Sequence, residues 1–223
     1  MDFIFMLTRA DQTVEDCLEV LDEILPLGLR AIGFKDVGVA PEVLRELVRR
    51  IHGAGATSYM EVVSTSEEAC LRSARVAREI GVQRLLGGTD VRAMLDVLDG
   101  SATAYYPFPG RPHDHPTRLG GRPADVEAHC RNFVAAGCAG CDLLAYRATE
   151  ADPIELVRAA RRGLGAGGFL VCAGSVRTRE QLHDLREAGC DAFTIGSAAF
   201  AGEFTPRKGS LRSQIRDILA ASA

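Results

Sequence analysis

Eight short apolar runs, each followed by a longer stretch, are the feature that most constrains the fold of this 223-residue chain. Most successive runs begin about 20 to 28 residues apart, which is the length of one strand plus one helix. The runs are continuous rather than alternating, as expected of parallel strands covered on both faces. They occupy residues 3–8, 30–36, 57–63, 82–88, 102–108, 140–146, 168–174 and 191–197.

The stretches between the runs carry signals of helix starts. Thr65 with Glu68, and Thr178 with Gln181, have the spacing of a capping box, in which two residues bond to each other's backbone. Strand and helix signals therefore alternate along the whole chain, which is typical of an α/β protein with a parallel sheet.

Eight strand-plus-helix units are the number that closes a (β/α)8 barrel. A doubly wound open sheet is the alternative, but it usually has a glycine-rich turn after its first strand. The corresponding turn here reads TRADQT and contains no glycine. We predict an α/β fold, a single (β/α)8 (TIM) barrel over residues 1–223. A longer, Pro- and Gly-rich βα loop at about 109–123 is predicted on its catalytic face.

Composition argues against several classes of partner. The net charge of −4 gives no basic surface for nucleic acid or for an anionic membrane. No segment approaches the roughly 18 apolar residues of a membrane span, and the first residues lack the pattern of a signal peptide. The 7 scattered cysteines suit reduced thiols. We expect a soluble, cytoplasmic protein, and the sequence leaves homo-oligomerisation open.

The last two predicted strands both end at a Gly-Ser pair: Gly174-Ser175 and Gly196-Ser197. In many (β/α)8 barrels the loops after strands seven and eight bind phosphate, because small residues let backbone N–H groups approach its oxygens. The pattern therefore predicts a phosphate site formed by these two pairs. The alternative to a phosphate site is that these glycines only relieve crowding at the rim of the barrel.

The stretch LVCAGSVRTREQLHDLREAGCDAFTIGSAAFAG, within about residues 168–202, resembles the closing quarter of the ribulose-phosphate-binding barrels. It is most similar to the sugar isomerases and synthases of histidine and tryptophan biosynthesis. The resemblance implies that Gly174, Ser175, Gly196 and Ser197 contact a phosphate. A fainter similarity places Gly88 at the position of Gly196, which implies a second anion site at Gly88; a chance match is the alternative.

Strand alternation selects the candidate chemistry. If Ile32 and Phe34 face the helices, Lys35 points into the barrel, and the same argument turns Glu61 inward on the next strand. We predict that Lys35 and Glu61 form an acid/base or electrophilic pair and that Asp36 holds Lys35 in place. A neutral lysine could attack a carbonyl, and a charged one could deliver a proton or stabilise an enolate. A purely structural ion pair is the alternative.

Two further residues follow strand ends. Thr8 comes after the first strand, and Arg147 follows the sixth strand, where it could orient an anionic or hydroxyl-rich substrate. We predict that both bind substrate. Asp11, a few residues beyond Thr8, is a relocated candidate for the aspartate that the histidine-pathway isomerases carry at the end of strand one.

The chain departs from the family's known chemistries. Pro107-Phe108 stands where those isomerases carry a second aspartate on strand five. The orotidine-phosphate decarboxylases carry Asp-x-Lys on strand three, where this chain has Met60-Glu61-Val62. Schiff-base aldolases often carry lysine on strand six, and residues 143–146 contain none. The resemblance therefore implies a phosphate site without fixing the reaction.

We predict an enzyme, a lyase or isomerase, that acts on a small phosphorylated metabolite by carbonyl or enolate chemistry: isomerisation, aldol cleavage or decarboxylation. The scheme needs no cofactor. A barrel that binds a phosphometabolite without catalysis, and an FMN-dependent enzyme, are the alternatives. We predict no metal site, because solvated side chains are the simpler interpretation of His113-Asp114-His115 and a helix-to-strand turn that of Cys138-Ala-Gly-Cys141.

Overall fold

A computed structural model of the chain describes residues 1–64 and 66–223. Thr65, half of one predicted capping box, lies outside the described residues. The other predicted box is confirmed: the Thr178 hydroxyl accepts from the Gln181 N–H, and the Gln181 side chain accepts from the Thr178 N–H.

Eight parallel strands form the sheet, and each overlaps one predicted run. They are β1 (Asp2–Met6), β2 (Ala31–Lys35), β3 (Thr57–Glu61), β4 (Arg84–Leu86), β5 (Ala104–Tyr106), β6 (Gly140–Leu143), β7 (Phe169–Cys172) and β8 (Ala192–Ile195). The first and last strands pair directly. Ala139 N–H donates to Tyr105 O and Asp142 N–H to Pro107 O, both at 3.0 Å, which brings β6 against β5. The predicted (β/α)8 barrel is confirmed.

Helices cover the outside of this barrel, and most of them connect one strand to the next. They are α1 (Cys17–Ile24), α2 (Pro41–Gly53), α3 (Glu67–Ile80), α4 (Val91–Leu98), α5 (Pro123–Ala136), α6 (Pro153–Leu164), α7 (Arg179–Glu187), α8 (Ser197–Phe200) and α9 (Leu211–Ser222). Among the described residues, no helix has both the length and the apolar character needed to cross a membrane.

The two faces of each strand belong to different cores, as the alternation predicts. Ile32, Phe34 and Met60 pack in the large outer core between strands and helices. Tyr59 packs in a smaller cluster inside the barrel. A Cβ atom built on Gly33 would meet the Met6 side chain, which confirms that Gly33, and with it Lys35, faces inward.

Arg84 fills the interior of the barrel near the strand starts. Its guanidinium carbon lies 4.8 Å from the centre of the Phe169 ring and 5.3 Å from that of Tyr59, and its Nη1 donates to the Tyr59 hydroxyl at 2.8 Å. Cation–π contacts and this hydrogen bond stabilise the Arg84 charge away from bulk water. The polar residues at the opposite, carboxyl end of the strands form a group separate from this Arg84 cluster.

The long loop after β5 has structure of its own. Arg111–His113 pairs antiparallel with Arg118–Gly120 to form a short hairpin. Glu150, after β6, accepts from the Arg111 guanidinium at 2.7 Å and from the Gly121 N–H at 3.2 Å. The hairpin is thereby attached to the next loop, and Thr117 at its tip is buried close to the barrel mouth.

Candidate active site

A cavity of about 150 Å³ opens at the carboxyl end of the barrel strands. Nine of the residues singled out in the sequence line it: Thr8, Asp11, Lys35, Glu61, Arg147, Gly174, Ser175, Gly196 and Ser197. A wider outer cavity of about 490 Å³ shares Asp11, Arg147, Ser175 and Ser197 with it. The candidate phosphate residues and the candidate chemical groups therefore lie on one continuous space.

Lys35 is the central cation of this cavity. Its side chain is buried, and its Nζ lies 2.7 Å from Asp11 Oδ1 and 3.3 Å from Glu61 Oε1. Glu61 stands directly opposite Lys35 in the register of β2 and β3, as the alternation predicted. The predicted Lys35–Glu61 pair is thus formed, with a second carboxylate that the sequence placed only among its candidates.

The backbone of Lys35 is fixed from the first βα loop. The Thr13 hydroxyl donates to Lys35 O and accepts from Lys35 N–H, both at 2.8 Å. Thr13 lies in a small hairpin in which Thr8–Arg9 pairs with Gln12–Thr13. The same hairpin therefore orients Lys35 and carries the carboxylate that binds it.

Asp11 reaches Lys35 because of the tight turn in this hairpin. Ala10 and Asp11 adopt φ values of 47° and 58°, the left-handed region needed at both central positions of a type I′ turn. Aspartate tolerates this conformation, whereas alanine adopts it at a cost. A strained pair of residues thus presents the carboxylate to the cavity, and strain of this kind concentrates at functional sites.

Arg147 holds Asp11 from the other side. Its Nη1 and Nη2 lie 3.2 Å and 3.1 Å from the two Asp11 oxygens, a bidentate geometry, and Nη1 also donates to Thr117 O at 3.2 Å. A Cβ atom on Gly174, whose φ is 74°, would collide with the Arg147 side chain. Arg147 thus lies between the predicted phosphate loop and the lysine cluster.

The charges of this cluster reinforce one another. Burial lowers the pKa of Lys35, but the negative charges of Glu61 and Asp11 outweigh it and raise the pKa above its ordinary value. Burial raises the pKa of Asp11, but hydrogen bonds from Arg147 and the charge of Lys35 bring it down to about 2. Lys35 is therefore a protonated amine and Asp11 a carboxylate at neutral pH.

Asp142, on β6, is a residue of this site that the sequence analysis did not select. It is fully buried, and neither of its carboxyl oxygens has a hydrogen-bond partner among residues 1–64 and 66–223. Burial, followed by the negative charge of Glu61, raises its pKa well above the ordinary range. A signal was present: with Cys141 in the outer core, alternation turns Asp142 inward.

Asp36 corrects one prediction. Its carboxyl accepts from the Val63 N–H at 3.0 Å and from the Ser73 hydroxyl, and Ser73 lies on α3. Because Asp36 follows Lys35 directly, alternation turns it out towards the helices. Asp36 therefore connects the end of β2 to α3. The prediction that Asp36 holds Lys35 in place is wrong, and Asp11 is the aspartate that binds Lys35.

Gly88 corrects a second prediction. It is buried with a φ of 78°, and a Cβ atom there would lie 3.1 Å from the Tyr105 hydroxyl and 3.2 Å from the end of Met94. It does not line the cavity that contains Lys35. Tight packing at a left-handed turn accounts for this glycine, and its similarity to Gly196 does not bring it to the site.

The two Gly-Ser loops present backbone donors to the cavity. The N–H groups of Gly174, Ser175, Ser197 and Ala198 donate to no acceptor in the described part of the chain, and all four residues line the cavity. Ser175 adopts a φ of 60°, uncommon for a residue with a side chain. Such clustered, unpaired N–H groups are the donors that an anion needs.

Thr8 packs against the loop after β8. Its Oγ1 lies 2.6 Å from where a Gly196 Cβ would be, and Met6 O lies 2.9 Å from the same point. Thr8 O accepts a hydrogen bond from the Ser197 hydroxyl at 3.5 Å. Position 196 therefore has room only for glycine, and the loop after β8 lies directly against the end of β1.

The described residues contain no group of three or more His, Cys, Asp or Glu arranged to hold a metal ion. His113 Nδ1 lies 3.0 Å from the neighbouring Asp114, in the exposed part of the long loop. Cys138 and Cys141 are buried free thiols.

No family model matches this chain, and no curated protein matches it in sequence. Solved structures do share its fold. Orotidine 5′-phosphate decarboxylase from Pyrococcus horikoshii OT3 superposes with a TM-score of 0.68 at 12% identity, covering 99% of this chain and 98% of that one. Native KDPGal superposes with a TM-score of 0.65 at 14% identity, covering 99% and 96%. These similarities confirm the barrel fold that the resemblance to ribulose-phosphate-binding barrels implied.

Proposed function

We propose that this protein is an enzyme that binds a small phosphorylated metabolite and acts on it through an enolate-like intermediate, as a lyase or an isomerase. One observation carries the proposal: a single cavity joins a set of unpaired backbone N–H groups to a buried lysine held between two carboxylates. One of the solved structures that share this fold is an orotidine 5′-phosphate decarboxylase, and this activity is consistent with the proposed chemistry.

The phosphate would lie between the two Gly-Ser loops. The N–H groups of Gly174, Ser175, Ser197 and Ala198 line this space and have no acceptor among residues 1–64 and 66–223. Arg177 also lines the cavity, half exposed and with its Nη1 3.5 Å from Oε2 of Glu203, which lines the cavity too. Because this carboxylate offsets the Arg177 charge, the backbone N–H groups are the main phosphate donors of the proposed site. The rest of the substrate would extend towards Lys35.

The charged state of Lys35 narrows the two roles that the sequence left open. A protonated amine has no lone pair to attack a carbonyl, so a Schiff base is disfavoured and electrostatic or acid catalysis is favoured. In this scheme Glu61 removes a proton next to the carbonyl, the C–H electron pair becomes an enolate, and Lys35 stabilises the negative oxygen. Asp11 and Arg147 hold the lysine in position.

The phosphate part of the proposal is tested by thermal unfolding with and without inorganic phosphate, sugar phosphates and FMN. A ligand at 100 times its dissociation constant adds about 2.7 kcal/mol of stability. Ser197→Asp places a negative charge at the loop on an exposed residue, and Ser210→Asp is the matched control at the start of α9. We expect phosphates to stabilise the wild type and the control but not Ser197→Asp. Equal stabilisation of all three would reject the site.

The catalytic part is tested by NMR of phosphorylated carbonyl compounds in D2O, starting with dihydroxyacetone phosphate and phosphorylated 2-oxo acids. Loss of the α-proton signal reports enolate formation. Lys35→Met and Glu61→Gln should each slow exchange by about 10²- to 10⁴-fold, the usual range for acid–base catalysis, while keeping the phosphate-induced stabilisation. Stabilisation without exchange by the wild type would indicate a barrel that only binds its ligand.

A further inference from the structure

The outer cavity brings the candidate site to the size that a small molecule needs. The inner cavity that contains Lys35 measures about 150 Å³, whereas pockets that enclose small ligands usually measure about 300 to 1,000 Å³. The outer cavity of about 490 Å³ is continuous with it through Asp11, Arg147, Ser175 and Ser197. A phosphate between the two Gly-Ser loops and a carbonyl group at Lys35 would use most of the inner cavity, so the rest of the substrate extends into the outer one.

The hairpin of the long loop forms one wall of the outer cavity, to which it contributes Thr117 and Arg118. Arg147 Nη1 donates to Thr117 O at 3.2 Å, and the Thr149 N–H donates to Leu119 O at 2.9 Å. Thr117 and Leu119 are buried, whereas Arg118 between them is exposed. The backbone is thus fixed on both sides of Arg118, and its side chain starts from a defined position on the cavity wall.

Arg118 is a cation without a partner in the described part of the chain. No hydrogen bond or ion pair among residues 1–64 and 66–223 involves its guanidinium, because the acidic residues close to it bind other groups. Glu150 lies 2.7 Å from Arg111. Asp114 lies 3.0 Å from His113. The five N–H donors of the Arg118 guanidinium are therefore available to a ligand.

The charges that line the outer cavity suit an anion. Among the described residues that line it, Arg118 and Arg147 are the cations and Asp11 is the only carboxylate. Asp11 is bound by Arg147 at 3.1 Å and by Lys35 at 2.7 Å. With Glu61 this cluster holds two cations and two carboxylates. Arg118 therefore leaves the outer cavity with one positive charge that no carboxylate offsets.

We propose that Arg118 is a specificity-determining residue that binds a second anionic group of the substrate. The inference rests on the proposed function and deepens it: the substrate is a phosphorylated metabolite that also carries a carboxylate or a second phosphate. A guanidinium binds either anion through two parallel hydrogen bonds. With one anion at the Gly-Ser loops and the other at Arg118, the substrate is held across the mouth of the barrel, and its carbonyl group is oriented towards Lys35.

Calorimetric titration with matched probes tests the proposal. The probes are chains of three to six carbons with a phosphate at one end and an alcohol, a carboxylate or a second phosphate at the other, such as glucitol 6-phosphate and 6-phosphogluconate. We expect a second anion to tighten binding to the wild type about 10- to 100-fold, the range for hydrogen bonds to charged groups. A gain with the acids alone identifies a carboxylate, and a gain with the bisphosphates alone identifies a second phosphate.

Arg118→Gln should lose this gain. The control Arg158→Gln, which removes an exposed cation on α6 outside both cavities, should keep it. Equal binding of all three kinds of probe to the wild type, or a gain that Arg118→Gln retains, would overturn the proposal.

Thermal unfolding separates a role in binding from a role in holding the hairpin. Arg118→Gln should unfold at the temperature of the wild type, because the guanidinium has no partner to lose, and inorganic phosphate should stabilise both proteins equally. A lower unfolding temperature for Arg118→Gln without ligand would assign the arginine to the fold and overturn the proposal. Failure of the proposed function would appear differently, as a wild type that neither inorganic phosphate nor any singly phosphorylated probe stabilises.

Discussion

Replacing Asp142 by asparagine should make the protein more stable relative to the wild type as the pH rises. In the folded protein Asp142 stays protonated, because burial raises its pKa well above the ordinary value of 3.8. In the unfolded chain it ionises near that ordinary value. Unfolding of the wild type therefore releases one proton from this group above about pH 4, and a higher pH favours unfolding.

The expected magnitude follows from this one proton. Each pH unit between the unfolded and the folded pKa changes the free energy of unfolding by about 1.4 kcal/mol per proton released. Asparagine has no such proton. The stability of Asp142→Asn minus that of the wild type should thus grow by about 1.4 kcal/mol per pH unit from pH 5 upwards, until Asp142 ionises in the folded wild type. A constant offset from the new amide leaves this slope unchanged.

Urea denaturation of both proteins at half-unit steps from pH 5 to pH 8 measures the slope. Other titrating groups, such as Asp36, are common to both proteins and cancel in the difference. The control for the chemical change is Asp99→Asn, which replaces an exposed aspartate at the end of α4. The slope assigned to Asp142 is the slope measured for Asp142→Asn minus the slope measured for this control. A difference that stays flat would mean that Asp142 is ionised in the folded barrel, and it would refute the argument from its unpartnered oxygens.

Three other predictions follow from the same geometry. Asp11→Asn should lower the free energy of unfolding by about 1 to 2 kcal/mol at pH 7 after allowance for solvent screening, because the pKa of Asp11 is about 2 in the folded protein. This contribution is present above about pH 4 and is lost as the pH falls towards 2. Urea denaturation should therefore show a smaller stability difference between wild type and variant at pH 3 than at pH 7, and a difference independent of pH would contradict the prediction. Gly196→Ala should cost about 1 to 3 kcal/mol, because its methyl group would lie 2.6 Å from Thr8 Oγ1. The control Gly53→Ala, on α2 with nothing within 4 Å, should be neutral or stabilising, and equal effects would exclude crowding as the cause. Arg84→Met should lower the melting temperature but leave the stabilisation by phosphate intact, since Arg84 lies outside the cavity. Loss of that stabilisation would show that the cluster of Arg84 with Tyr59 and Phe169 supports the site.

The barrel itself could be predicted because its signals are local. Continuous apolar runs at a regular spacing are typical of parallel strands covered on both faces, and eight such units close a barrel. The structure confirms all eight strands and their parallel order. The alternation argument also placed Lys35 and Glu61 correctly inside the barrel, since side-chain direction along a strand depends only on neighbours in the sequence.

The errors came from residues next to strand ends and from similarity between segments. Asp36 looked like a partner of Lys35 because it is adjacent in sequence, yet adjacency on a strand places two side chains on opposite faces. Gly88 resembled Gly196 in its local pattern, but Tyr105 and Met94 pack against it, and this crowding explains why the position holds a glycine. Asp142 was overlooked, although alternation turns it inward once Cys141 is assigned to the outer core.

The sequence by itself determined the strands, the helices, the two Gly-Ser loops and the inward direction of Lys35, because each depends on residues close along the chain. Only the tertiary structure decided which groups meet. Arg147 and Asp11 are 136 residues apart and form a bidentate pair, and this pairing sets the charge of the site. Closure of the barrel brings such distant loops to one mouth, and it removes Asp142 from water, so that burial decides whether its proton stays.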